Sequence, residues 1–336
     1  MKEVQSSKFS KMQPLKFDNK RSRVQLCPCG KSNKDGKFIP YEGFDNKGYC
    51  HACGETFLPK HSNGEAEQWR QSEAYKTVLI LPEPKQMISL DYCYFKQTLD
   101  TKYYKNNVFI QFLKVFFKPC EVAETLETYW IGTHFNSKNA CLFWYLNEKN
   151  ICRAKAMHYD YATCKAPFQH ERGICKRDKN NPYATIEITK NILKLMGKEN
   201  YQTPRCFFGS HLLSMSHFEG RPIGIVEVEK TAIIASICDE DYLWLAVGGM
   251  QRLDLSLFKA LKGREIWLFP DLGLPNPNTN LTPSQDWNSK LDAIKSITGA
   301  EVFISKVLEE NCTDYERQKG YDLADYFLKE HLENSK

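Results

Sequence analysis

At 336 residues and 39.0 kDa, the chain exceeds what one hydrophobic core usually supports, so at least two folded units are expected. A 42% hydrophobic share with 13% aromatics excludes wholesale disorder, and no apolar run approaches the roughly 18 residues needed to cross a bilayer. The net charge of +5 is uneven: residues 1–60 carry 12 Lys/Arg against 6 Asp/Glu, and residues 149–179 carry 8 against 3, which points to a polyanionic partner or to solvated basic loops.

The N-terminus is polar and basic with no apolar signal core. Thirteen cysteines, an odd count, suit a reducing, cytoplasmic setting better than a disulfide scaffold. Cys27-Pro28-Cys29-Gly30 and Cys50-His51-Ala52-Cys53-Gly54 form two thiol pairs with 20 residues between them. Cys27, Cys29, Cys50 and Cys53 could supply four soft ligands to a structural, tetrahedral Zn2+. Residues 21–60 are therefore expected to form a zinc β-ribbon, with a hairpin around Phe38, Ile39, Tyr41 and Tyr49. The first pair is one residue tighter than the usual Cys-x-x-Cys, and His51 is an alternative ligand; redox or unliganded thiols are the competing reading. The other nine cysteines read as small buried hydrophobes.

A polar linker is expected at 61–74, followed by an α+β middle domain at 75–216. Apolar residues at helical spacing occupy 103–118, while 128–134 and 140–160 read as strands. The second of these is a hairpin, with arms 141–146 and 152–159 joined by Asn147, Glu148, Lys149 and Asn150. Arg153 and Lys155, two apart, share one strand face. Beside Phe143, Trp144, Tyr145 and Tyr159 they are candidate nucleic-acid contacts by charge and stacking, or solvated cations over an aromatic core.

Residues 217–336 alternate strands (223–228, 242–247, 265–269, 300–307) with helices (229–238, 255–261, 283–298), the pattern of a parallel α/β sheet. The last helix carries a capping box at Thr282 and Gln285, proline at its first position and Gly299 past its end. With right-handed crossovers and the strand order second, first, third, fourth, the first and third strands are neighbours. Glu227 and Asp271 then meet at the switch point, where two carboxylates could hold Mg2+ against a reacting phosphoryl group. Helix caps or dipole partners are the alternative reading. Asp286, early in the capped helix, is a further candidate for the ion or a dipole partner. Lys230, at a helix start, is a candidate phosphate contact or an exposed lysine. Asp322, three before Asp325, reads as an N-cap.

Val226-Glu227-Val228-Glu229-Lys230-Thr231-Ala232, Trp244-Leu245-Ala246-Val247-Gly248-Gly249 and Leu268-Phe269-Pro270-Asp271-Leu272-Gly273 resemble the toprim-like domain of primase-type proteins. From about Gln25 onward the chain resembles a family of bacterial mobile-element proteins that joins a zinc ribbon, a middle domain and such a toprim-like domain. The cysteine pairs carry this likeness, with Phe143-Trp144, Arg153, Lys155, Met157, Tyr159, Asp160, Phe208-Gly209, Leu212-Leu213 and Tyr321-Asp322-Leu323-Ala324-Asp325. The resemblance implies a primase-like role in DNA replication, with Glu227 and Asp271 placing magnesium for nucleotidyl transfer. Single- or double-stranded DNA is the implied partner, and a replicative helicase a further one. Two positions depart from the toprim pattern: Val228 replaces a glycine, and Gly273 replaces the second aspartate. That departure keeps two rivals open, a metal-dependent nuclease and a non-catalytic DNA-binding protein on a degenerate toprim fold.

Overall fold

Phe38 and Cys50 alternate with more exposed neighbours, and strands β1 (Phe38–Pro40) and β2 (Gly48–Cys50) pair antiparallel through them, with β3 (Thr56–Phe57) on the other side of β2. The computed structural model describes residues 16–51, 55–58, 86–134, 140–159, 168–171, 174–177, 185–249, 253–277 and 279–334. Met1–Lys85 and Gln86–Lys336 are separate compact units; the three-stranded sheet belongs to the first. Its buried core is small: Val24, Cys27, Phe38 and Cys50, with Phe57 and Cys29 against it. Asn33 compensates. Its buried amide nitrogen lies 2.9 Å from the carbonyls of Arg21 and Val24 and 3.1 Å from that of Phe38, and its Oδ1 accepts from the Phe38 N–H at 2.6 Å. Gly48 has φ +153°, and a Cβ there would lie 2.1 Å from the Ile39 carbonyl oxygen, so only glycine lets the hairpin close at this register.

The second unit opens with helices α1 (Tyr92–Thr98), α2 (Val108–Phe116) and α3 (Pro119–Thr128), the first two capped by the Asp91 and Asn107 side chains. The 103–118 stretch is not one helix, because Asn107 caps a new start after the 3-10 turn Thr101–Asn106. An antiparallel sheet follows, ordered β4 (Gly132–Thr133), β5 (Cys141–Leu146), β6 (Ile151–Met157), β9 (Thr185–Glu187), with β7 (Phe168–Glu171) and β8 (Ile174–Arg177) forming a separate hairpin. The expected hairpin of β5 and β6 is present, and Asn147 Oδ1 accepts from the N–H groups of Lys149 and Asn150 at 3.0 and 2.9 Å to set its turn.

Helix α4 (Thr189–Leu195) leads to β10 (Ile223–Val226), α5 (Glu229–Cys238), β11 (Leu243–Ala246), β12 (Ile266–Leu268), α6 (Pro283–Asn288), α7 (Leu291–Thr298) and β13 (Val302–Ile304). Short helices α8 (Val307–Asn311) and α9 (Asp314–Lys319) precede the last, α10 (Leu323–Asn334). The four strands are all parallel, in the order β11, β10, β12, β13, which is the expected order. The stretch 283–298 is two helices rather than one. Ser289 Oγ donates to the Asp286 carbonyl at 2.7 Å, the acceptor Lys290 would otherwise use, and the Lys290 N–H turns to Trp287 O at 3.0 Å. The stretch 255–261 is 3-10 rather than α-helix.

Both faces of the antiparallel sheet are buried. Leu142, Trp144, Leu146, Ala154 and Ala156 pack with Phe95, Ile188 and Ile192 on one side. On the other, Cys141, Phe143 and Tyr145 join a core shared by α2, α3 and the whole parallel sheet. Phe208 exchanges backbone hydrogen bonds with Ala246, and the Tyr129 hydroxyl donates to the Trp244 carbonyl at 2.9 Å, so the β11 edge is covered. The expected domain boundary at 216/217 thus runs through one continuous core. Cys93 and Cys120, expected inside, are exposed. Among the described residues, no helix is long and apolar enough to cross a membrane.

Candidate functional site

Parallel strands aim their carboxyl ends the same way, and the reversal of strand order between β11 and β12 opens a crevice beside β10. Glu227 follows β10 and Asp271 follows β12. The two act on one another: the Asp271 backbone favours the charged Glu227 carboxylate, and the Glu227 charge opposes that of Asp271. Asp322, at the start of α10, joins them because the Leu272 N–H binds the Tyr321 carbonyl at 2.9 Å. Asp322 caps α10, accepting from the Asp325 N–H at 2.9 Å. Its other oxygen lies 3.0 Å from Lys230 Nζ, and both residues are buried. The expected N-cap is therefore real, and the same side chain also belongs to the acidic centre. Sequence offered no sign of the second role, which depends on the Tyr321 segment docking beside Asp271.

Burial pushes the Glu227 carboxyl up to about 7, and the charges of Asp322 and Asp286 add to the rise. Burial likewise holds Asp271 well above the ordinary carboxylate range, reinforced by Glu227 and Asp322. Asp271 Oδ1 is enclosed and has no hydrogen-bond partner among the described residues. The three acids do not form a three-ligand cluster, but an enclosed carboxylate oxygen without a partner, beside the Glu227 carboxyl, suits a hard divalent cation such as magnesium held by two acids. Asp286 lies within reach of this field but is ion-paired to Lys290 on its own helix. Gly273, where the resemblance expects an aspartate, has Pro283 opposite, and a Cβ there would lie 3.0 Å from the ring.

The raised carboxyls carry a sign. The folded state holds these protons more tightly than the unfolded chain, whose glutamate titrates near 4.5. The stability they contribute is complete below that value and is lost as pH rises through about 7. In the presence of a chelator, wild type is expected to lose more stability between pH 5 and 8 than Glu227→Gln, by a few kcal/mol. Urea midpoints across that range measure it, and parallel curves would show that Glu227 is not buried among carboxylates.

The other candidate cations are placed differently. Arg153 is half-buried, with its guanidinium 5.1 Å from the Tyr145 ring centroid. Lys155 shares that strand face but is only 5% exposed. Its ammonium donates to Glu229 Oε2 at 2.8 Å and to the Gly248 carbonyl at 3.2 Å. Glu229 is 1% exposed and also accepts from the Tyr145 hydroxyl. Burial works against its charge, but Lys155 and Tyr145 outweigh that and hold its carboxyl below the usual range.

In the first unit, Cys27 and Cys29 Sγ lie 3.0 Å apart and Cys29 and Cys50 Sγ 4.0 Å apart. A tetrahedral zinc with sulfur at about 2.3 Å sets its ligands about 3.8 Å from one another, so three converging thiols fit such a centre. Among the described residues this is the one cluster of three or more Cys, His or acidic side chains close enough to hold a metal ion. Cys53 lies outside the described residues. A tight knuckle presents the first pair: the Cys27 N–H binds Lys31 O and the Gly30 N–H binds Cys27 O, each at 2.8 Å.

No curated protein and no solved structure matches the chain. Residues 107–272 match a family model described as "Domain of unknown function (DUF6371)"; this span runs from the cap of α2 to the residue after Asp271, and so takes in Lys155, Glu227 and Glu229 but neither Asp322 nor the cysteine cluster.

Proposed function

We propose that the chain is a primase-like, nucleic-acid-binding protein of a mobile element, combining a zinc ribbon with a toprim-like parallel sheet whose acidic centre serves magnesium-dependent nucleotidyl transfer on DNA. The observation that carries this reading is the enclosed, unpartnered Asp271 Oδ1 beside Glu227 and Asp322, at the carboxyl ends of adjacent parallel strands. Bound there, magnesium supplies positive charge to a phosphoryl group in transfer. Glu227 and Asp271 would hold it, while Asp322, whose two oxygens are taken by the Asp325 N–H and Lys230, adds negative charge beside them. Lys230, 3.0 Å from Asp322 and buried, tempers the repulsion of the acids. Arg153, beside an aromatic ring on a half-buried strand face, is the remaining hairpin candidate for a single-stranded template. In the ribbon, Cys27, Cys29 and Cys50 would bind zinc with Cys53 as fourth ligand.

A second reading has its own support. Gly273 and the buried Lys230–Asp322 pair, which already neutralises one acid, favour a DNA-binding platform without chemistry. Incubating wild type, Glu227→Gln and Asp271→Asn with labelled nucleotides, a single-stranded DNA template and magnesium separates these readings. Extended products are expected from wild type and from neither variant. Shortened template would mean a nuclease, and template bound but unchanged would leave the platform.

A further inference from the structure

Two backbone segments meet at the acidic centre, one following β10 and the other following β11, and one side chain from the antiparallel sheet fastens both. The Glu227 carbonyl accepts from the N–H groups of Gly248 and Gly249, each at 3.0 Å. Lys155, on β6, holds the Gly248 carbonyl at 3.2 Å and Glu229 Oε2 at 2.8 Å. Tyr145, on β5, donates to the other Glu229 oxygen. The fit leaves no slack, for a Cβ on Gly248, whose φ is +91°, would lie 2.1 Å from the Tyr145 hydroxyl. Glu227 is thereby bracketed. Its own carbonyl is gripped by the loop that Lys155 holds, and its chain is pinned two residues on by the carboxylate that Lys155 neutralises.

We infer that Lys155 is a positioning residue for the acidic centre: acting through Glu229 and the Gly248 carbonyl, with Tyr145 beside it, it holds Glu227 where, with Asp271, it meets a divalent cation. The inference rests on the magnesium reading above. The same pairing removes Glu229 from the set of ligands, because both its oxygens are engaged inside the protein, as both oxygens of Asp322 are by the Asp325 N–H and Lys230. A cation at the centre then meets Glu227 alone of the two glutamates. Partners that orient the side chains binding a metal control affinity without touching the ion, and their loss typically weakens binding by 10- to 100-fold.

The test is calorimetric titration of the whole chain with Mn2+ alone, at a temperature below the unfolding of every variant. Wild type is expected to bind and Glu227→Gln to lose binding. Lys155→Met is expected to weaken it by 10- to 100-fold. Tyr145→Phe keeps the ring and removes one hydrogen bond, so it should weaken binding less. Lys262→Met, at an exposed lysine, should match wild type. A purely structural Lys155 would lower the unfolding temperature of Lys155→Met yet leave Mn2+ affinity at the wild-type value, and that result overturns the inference while sparing the metal reading. Should Lys155→Met fail to fold, wild-type affinity in both Tyr145→Phe and Lys155→Arg overturns it equally. If wild type itself fails to bind and is indistinguishable from Glu227→Gln, the magnesium reading falls and takes this inference with it.

Discussion

Lys155→Met is expected to lower the stability of the second unit by about 3–5 kcal/mol, because it leaves the Glu229 carboxylate buried without its counter-charge. For a unit of this size that is a fall of roughly 10 °C in unfolding temperature. Adding Glu229→Gln should recover most of the loss, since a neutral amide can still accept from Tyr145 and carries no charge to desolvate. Urea unfolding of the single and double variants gives the coupling directly. A single variant as stable as wild type would mean that the pair is solvated and the two sheets do not meet there.

Removing metal from the first unit should have the other large effect. Its core of four buried residues is too small to fold alone, and zinc in sites of this kind contributes on the order of 10 kcal/mol. A chelator, or Cys50→Ser, is expected to abolish hydrogen-exchange protection at the Phe38 and Cys50 amides, which bond Asn33 and Glu55 respectively. The transition of the second unit should not move. Elemental analysis of protein purified without added metal should return one zinc per chain; a value near zero, or amides still protected in chelator, would sink the zinc ribbon.

The parallel sheet was legible because its evidence is local. Four apolar runs and their spacing mark the strands, and taking the order second, first, third, fourth with right-handed crossovers brings Glu227 beside Asp271. The Asn147 turn was legible for the same reason, a short polar side chain bonding its own backbone. Lys155 was not. Its two-residue spacing from Arg153 correctly placed both on one face, but periodicity cannot say that this face packs on another sheet, and its partner Glu229 lies 74 residues away. Asp322 escaped similarly, being visible as a cap and invisible as a neighbour of Asp271. Asn33 has no periodic signature at all, because its importance lies in four hydrogen bonds made by one side chain. The break at Ser289 was hidden by a strong capping box and an unbroken apolar stripe, both indifferent to one hydroxyl bonding back to Asp286.

The core that joins α2, α3 and β5 to the parallel sheet also bears on how the chain is made. Phe143, Tyr145 and Cys152 emerge from the ribosome well before Trp244 and Leu245, the residues that share their core. At 5–20 residues per second, the delay between the end of β6 and the end of β11 is on the order of ten seconds. During that interval α2 and α3 can cover part of the inner face of the hairpin, but the parallel sheet cannot, and the buried Lys155 has no Glu229 to meet. Completion of the shared core therefore waits for β11, and until then the nascent hairpin is the segment a holding chaperone would find.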